Sequence, residues 1–230
     1  MIRNYSDFMA ELNRAGFSGA IGGKEDGVFN LFSYGWGAQE NTDVIWHTED
    51  AETDPWEWRL RVLNENAGIA YSKLFFKKAG YITKEWYPYF YAARRGGREF
   101  EDDYESGIFS HFAKRIYDAL EANPNLSVRE IKRDIGLKKE DKSKFEAALT
   151  DLQMKMYITM CGGNQRVSKG GEEYGWQCMV YCKCENFYSA EVFDNAAKLN
   201  GSEAYAKIEE RVLTLNPNAD KKKIRKFICG

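Results

Sequence analysis

With 230 residues, 15% of them aromatic and 30% charged, the chain can bury a core without metals or disulfides, and its composition excludes a disordered tail. A formal net charge of -2 excludes a strongly basic global field, so any contact with nucleic acid has to rely on a local patch. No apolar run reaches the roughly 20 residues of a bilayer span, and an odd set of five cysteines suits reduced thiols in the cytoplasm.

The first predicted element is an amphipathic helix capped by Ser6, with Phe8, Met9 and Leu12 inward and Gly16 at its end. The sequence runs straight into this helix, so no signal peptide is expected. A glycine-rich passage from Gly19 to Gly37 follows, with Val28, Phe29, Leu31 and Phe32 as a short strand; Gly19 to Gly23 lacks the Lys-Ser or Lys-Thr of a phosphate loop. Strict alternation of apolar and charged residues from Trp56 to Val62 predicts a strand, and Asn64 to Gly68 reads as the hairpin loop that leads into its partner, Ile69 to Phe76.

On such a strand Trp56 and Trp58 share a face. With Trp46, Tyr71 and Trp86 they form a candidate pocket for an unpaired base, the alternative being plain core packing. Asp54 and Glu57 are the carboxylates beside these rings and therefore candidate acid or base groups, although Glu57 points to the opposite face, where Lys73 suits a cross-strand ion pair. Thr83 then caps a helix bearing Trp86, Phe90 and Ala93 and ending at Arg94-Arg95-Gly96-Gly97, with Pro88 in tension with its interior. The acidic run Glu99 to Glu105 reads as a linker.

From Ser110 to Cys184 the pattern is more specific. Phe112, Ile116 and Leu120 make one helical stripe, stopped by Asn123-Pro124. Ser127 and Glu130 form a capping box for a short helix with Val128, Ile131 and Ile135 inward, and Gly136 sits where a left-handed cap is needed. A third helix, Glu140 to Met156, buries Phe145, Leu149, Leu152 and Met156 and leaves Lys142, Lys144, Ala147, Thr150, Asp151 and Lys155 outward. Tyr157 to Thr159 opens a strand, and two glycine pairs precede the return from Trp176 to Cys184. This order predicts a winged helix, with the third helix as recognition helix. Two helices follow, 190–199 and 202–215, and then a basic segment, Lys221 to Lys226. The predicted fold class is α+β: an aromatic-rich α+β domain with an antiparallel hairpin over 1–105, a winged helix-turn-helix over 106–185 and a helical extension over 186–230.

The segments Leu126 to Lys132, Phe145 to Met154 and Tyr174-Gly175-Trp176, together with Asp54-Pro55-Trp56-Glu57-Trp58 and Ala70 to Phe75, resemble the bacterial AlkZ-related proteins. That group is named after larger AlkZ winged-helix DNA glycosylases, which remove alkylated or crosslinked bases, and the resemblance implies a DNA-repair context. The glycosylases carry a Gln-x-Gln or Gln-x-Asp pair that positions a water. Here Gln153 is followed two residues later by Lys155, and Gln39 by Asn41, and an ammonium cannot accept a proton from water. Gln153 is thus a catalytic candidate without its partner, or a structural residue.

No cofactor and no metal are expected. Cys178, Cys182 and Cys184 share one strand face as core packing, and His47 and His111 belong to no ligand motif. Three functions are consistent with these residues. The first is DNA binding in a repair context, with Lys138, Lys139, Lys142, Lys144, Thr150 and Lys155 on the third helix and Arg166 and Lys169 on the wing. The second is a divergent base-excision enzyme. The third is a non-catalytic protein-interaction module or homo-oligomer, which suits the near-neutral charge and the acids Glu140, Asp141, Glu146 and Asp151.

Overall fold

The structure is a computed structural model that describes residues 2–19, 27–31, 44–65, 67–167 and 170–230. Helix α1 (Tyr5–Ala15) begins at Asn4, whose side chain accepts from the Asp7 N–H, two residues before the expected cap Ser6. Gly16 closes it at φ 94°, and a Cβ there would lie 2.2 Å from the Trp86 ring, so both the backbone and the space demand glycine. Strand β1 (Phe17–Ser18) follows. Val28, Phe29 and Leu31 are buried but form no strand among the described residues; Phe32 and the Gln39/Asn41 position lie outside them.

The largest correction concerns Trp56 to Val62, which is not a strand but part of helix α2 (Pro55–Asn64). Asp54 is its N-cap, accepting from the Trp56 N–H at 2.8 Å, and Pro55 occupies the first turn, where a missing N–H is harmless. The alternating pattern also satisfies helical spacing, because Pro55, Trp58 and Val62 fall three and four residues apart, and all three are buried. The partner of β2 (Ile69–Phe75) is instead β3 (Lys78–Thr83), joined by Phe76 and Lys77 at φ 51° and 63°. Two positive φ values are the signature of a mirror-image hairpin turn, here made without the usual Asn-Gly.

Thr83 ends β3 rather than capping a helix. Helix α3 (Tyr87–Arg95) starts after Trp86, which places Pro88 in the first turn and removes the expected conflict. The acidic run is likewise no linker: it is helix α4 (Phe100–Glu105), with a capping box between Glu99 and Asp102. Its Phe100 stacks on Tyr117 at 4.0 Å, and its buried Asp103 accepts from Tyr157 Oη and Arg98 Nε, each at 2.7 Å.

Between Ser110 and Cys184 the expected order of elements is present: α5 (His111–Ala122), β4 (Leu126–Ser127), α6 (Val128–Asp134), a 3-10 turn (Lys139–Asp141), α7 (Lys142–Met154), β5 (Ile158–Val167) and β6 (Glu173–Lys183). The capping box forms as predicted, Ser127 N–H and Oγ donating to Glu130 Oε2 at 2.8 and 2.6 Å. Those bonds, the hydroxyl first and the amide second, hold the Glu130 carboxyl below its usual pKa. Because the folded value is depressed, the stabilisation is present above the ordinary carboxylate range and fades as pH falls through the lowered value. Ser127→Ala is expected to cost about 1 kcal/mol at neutral pH in urea titrations, with the difference shrinking in acid.

The chain ends in α8 (Cys184–Phe187), α9 (Ala190–Ala197), α10 (Gly201–Leu215) and α11 (Lys221–Cys229). One six-stranded sheet runs β1-β3-β2-β5-β6-β4 with antiparallel pairings, and Tyr71 opposite Met160 joins the early hairpin to the later one. The structure is therefore α+β, with segments from both halves sharing a sheet and one hydrophobic cluster. Helices α10 and α11 pack on α3, and Phe227 of α11 stacks on Phe75 of β2 at 4.1 Å. Among the described residues no helix is long and apolar enough to cross a membrane.

Arg94 and Arg95 end α3 but do not face solvent; both are buried. Arg95 pairs with Glu185 at 2.5 Å and lies 4.1 Å over the Tyr157 ring. Arg94 donates from Nε to the Ile228 carbonyl at 2.7 Å, from Nη1 to that of Met154 at 2.8 Å and from Nη2 to that of Phe227 at 3.0 Å.

Candidate nucleic-acid interface and an adjoining groove

The turn at Gly136 and the 3-10 segment aim Lys138, Lys139 and Lys142 outward at the start of α7. All three are exposed, and no ion pair engages them among the described residues. Lys144 is also exposed but pairs with Asp141 at 2.9 Å, and Lys132 occupies Glu146 at 2.9 Å. Two of the four acids on this face are thus tied up by lysines, while Glu140 and Asp151 remain exposed.

The second half of α7 departs from the expectation. Thr150 is buried, its hydroxyl donating to the Glu146 carbonyl at 2.7 Å and accepting from Lys73 Nζ at 3.2 Å. Lys73 therefore serves α7 and not a cross-strand pair with Glu57. Lys155 is half-buried and donates to the Cys229 carbonyl at 3.4 Å. The cause is the shared sheet: β2 covers the end of α7, so the buried arc widens to include Ala148, Thr150 and Gln153. Arg166 lies in β5 opposite Tyr174, and Lys169 falls outside the described residues.

Gln153 is fully buried. Its Oε1 accepts from Ser72 Oγ at 2.9 Å and from the Lys73 N–H at 3.1 Å, while Nε2 donates to the Leu149 carbonyl at 2.7 Å. Those bonds staple α7 to β2 and engage the amide oxygen twice. Gln153→Leu is expected to lower stability by about 2 kcal/mol in denaturant unfolding, since the Ser72 hydroxyl and Lys73 amide would be stranded. Unchanged stability would refute this structural role.

The five rings of the expected pocket do not converge. Trp58 is fully buried and stacks on Phe8 at 5.1 Å; Tyr71 packs against Tyr81 at 4.9 Å; Trp86 meets Phe17 edge-on at 5.4 Å. Reading α2 as a strand had put Trp56 and Trp58 on one face, whereas the helix turns them about 100° per residue apart. Half-buried Trp56 instead lines an open groove of about 760 Å³ between α2 and the β5–β6 hairpin, with Glu49, Glu57, Leu60, Gln165 and Gln177. The Arg59 guanidinium covers one side of Trp56 at 3.4 Å from the ring centroid, and His47 lies 5.3 Å away with Trp46 beyond it.

Asp54 is buried and fully used as a structural carboxylate, accepting the N–H groups of Trp56, Thr48 and Glu49 at 2.8, 2.8 and 3.1 Å. Glu57, by contrast, is half-exposed in the groove. The sequence contained a signal for this site: once Asp54-Pro55 is read as a helix start, Trp56, Glu57 and Leu60 fall on one face. Gln177 carried no such signal, because its place depends on the folded hairpin.

Comparison with the curated proteins and with the solved structures gives no match. The AlkZ-related family model does match, over residues 2–229, and the chain belongs to that family.

Proposed function

We propose that this chain is a winged-helix DNA-binding protein acting in a repair context, with residues 106–185 as the contacting unit. The observation that carries the reading is the trio Lys138, Lys139 and Lys142, exposed and in no ion pair among the described residues where the third helix begins. Ammonium groups in that position meet phosphates and fix register, while the hairpin reaches the adjacent backbone. The buried second half of α7 confines base contacts to its first turns. The commitment of Gln153 to Ser72 and Lys73 supports a binding role for the chain over glycosylase chemistry at that residue. Fluorescence anisotropy on duplex, nicked and single-stranded DNA at low salt tests the proposal, since phosphate contacts are strongest there. Absence of binding to all three would sink it and favour a protein-interaction role.

A second reading rests on the groove, where the Glu57 carboxylate stands beside Trp56. In a divergent base-excision enzyme the indole edge would meet an extruded base and the carboxylate would assist a water. Incubation with alkylated or crosslinked oligonucleotides, followed by scission at abasic sites, checks it; uniformly intact substrate refutes it.

A further inference from the structure

At the base of the β5–β6 hairpin a recess of about 410 Å³ is walled by Asn64, Asn125, Asn186 and Phe187, and Cys161 and Cys182 also line it. Met160 pairs with Tyr181 and Gly162 with Val180, so Cys161 is the extra residue of a β-bulge. Bulges re-aim a side chain, and this one turns Cys161 away from its regular place toward the recess. Cys161 is half-buried, whereas Cys182 is 1% exposed. The sequence pattern had grouped Cys182 with Cys178 and Cys184, but Cys184 starts α8 and Cys161 is the neighbour that matters.

The two sulfurs have unequal environments. A hydrogen bond from Cys182 holds the Cys161 thiol below the usual range, and the same contact together with burial pushes Cys182 far above it. Cys161 Sγ also sits 3.5 Å from Asn125 Oδ1. An asparagine amide can turn either its oxygen or its NH₂ to the sulfur, so it serves thiol and thiolate alike. Among the described residues no set of three or more His, Cys, Asp or Glu side chains is placed to hold a metal ion. The half-buried Cys161 thus stands in front of the buried Cys182 at one recess, the arrangement of an attacking and a resolving cysteine.

We propose that Cys161 and Cys182 form a peroxide-reactive dithiol, Cys161 attacking and Cys182 resolving. The Cys161 sulfur attacks one oxygen of a small hydroperoxide; the S–O bond forms as the O–O bond breaks, and the departing oxygen takes the thiol proton to leave as water or alcohol. Cys182 then attacks the sulfenic sulfur. The S–S bond forms, the S–O bond breaks, and hydroxide leaves as water with the Cys182 proton. Two thiols lose two electrons and the peroxide gains them. The inference stands independently of DNA binding.

Treatment of the full chain with hydrogen peroxide, followed by non-reducing peptide mass spectrometry, is expected to reveal a Cys161–Cys182 link that dithiothreitol removes. In Cys182→Ser the reaction should stop at sulfenic acid, trapped by dimedone on Cys161. With monobromobimane near neutral pH, Cys161 should react about tenfold faster than the other half-buried thiols, Cys178 and Cys229, because rate follows thiolate fraction. Cys161→Ala, placed on a half-exposed bulge, should abolish the link without moving the melting temperature, which keeps the test decisive if Cys182→Ser folds poorly. Absence of the link in the wild-type chain, or equal labelling of the three thiols, would overturn the proposal.

Discussion

Replacing Arg94 by methionine is expected to lower the unfolding free energy by about 3–5 kcal/mol, the range for breaking a buried charge network. Its three acceptors, the carbonyls of Met154, Phe227 and Ile228, lie in the last turns of α7 and α11, where free carbonyls carry the negative end of each helix dipole. No carboxylate is paired with Arg94 among the described residues, and burial pushes its pKa down to about 10, so the group stays charged at neutral pH. The cation is stabilised by two converging helix ends and by the Phe90 and Phe75 rings, 5.4 and 5.5 Å from the guanidinium. Truncation strands three buried acceptors, each worth about 1–3 kcal/mol when left unmade, with partial relaxation reducing the sum. Arg94→Lys keeps the charge but cannot fork to three carbonyls, so it should fall between wild type and methionine. Urea unfolding monitored by tryptophan fluorescence measures the series. A methionine variant within about 1 kcal/mol of wild type would show that water or backbone shifts satisfy the carbonyls instead.

The triple variant Lys138→Ala, Lys139→Ala and Lys142→Ala is expected to weaken DNA binding about a hundredfold near physiological salt and to reduce the salt slope by about three, one for each ammonium withdrawn from a phosphate. Its melting temperature should not move, because the three side chains are exposed and support no ion pair among the described residues. Two controls sharpen the result. Lys144→Ala should have a smaller effect, its ammonium being already engaged by Asp141. Removing Lys221, Lys222 and Lys226 from α11 takes away equal charge elsewhere and should change affinity by less than about threefold, because long-range charge is screened beyond roughly 10 Å. If the α11 variant weakens binding as much as the α7 variant does, binding follows net charge and the third helix has no special place.

The elements that could be read from sequence were those whose ends are fixed locally. Ser127 with Glu130, and Gly136 after α6, need only neighbours within a turn, and each stands where the pattern put it. Misreadings arose where two periods fit the same residues. Trp56 to Val62 alternates every second residue yet also places Trp58 and Val62 four apart, and only the Asp54-Pro55 start decides between them. The β2–β3 hairpin was hidden because Phe76 and Lys77 adopt left-handed conformations without glycine or asparagine. For the candidate site, the lysines at the start of α7 were legible because they flank a capped helix. Thr150 and Lys155 were misplaced because β2 and α11 cover them, and those contacts join residues far apart in the chain, as in the Thr150 and Lys73 pair, |i−j| = 77. Neither the Cys161 bulge nor the destination of Arg94 has a local signature.

Asp54 gives the groove a property beyond its shape. The residues on either side of Thr48, His47 and Glu49, hold φ near 63° and 62°, conformations that non-glycine side chains adopt at an energetic penalty. The carboxylate that caps α2 is also the acceptor for the Thr48 and Glu49 amides, so the helix start and the strained turn share one anchor. The Glu49 backbone is consequently held to the same carboxylate that starts the helix bearing Trp56. A ligand meeting that wall would find its backbone already ordered, and preorganisation of this kind lowers the entropy that binding has to offset.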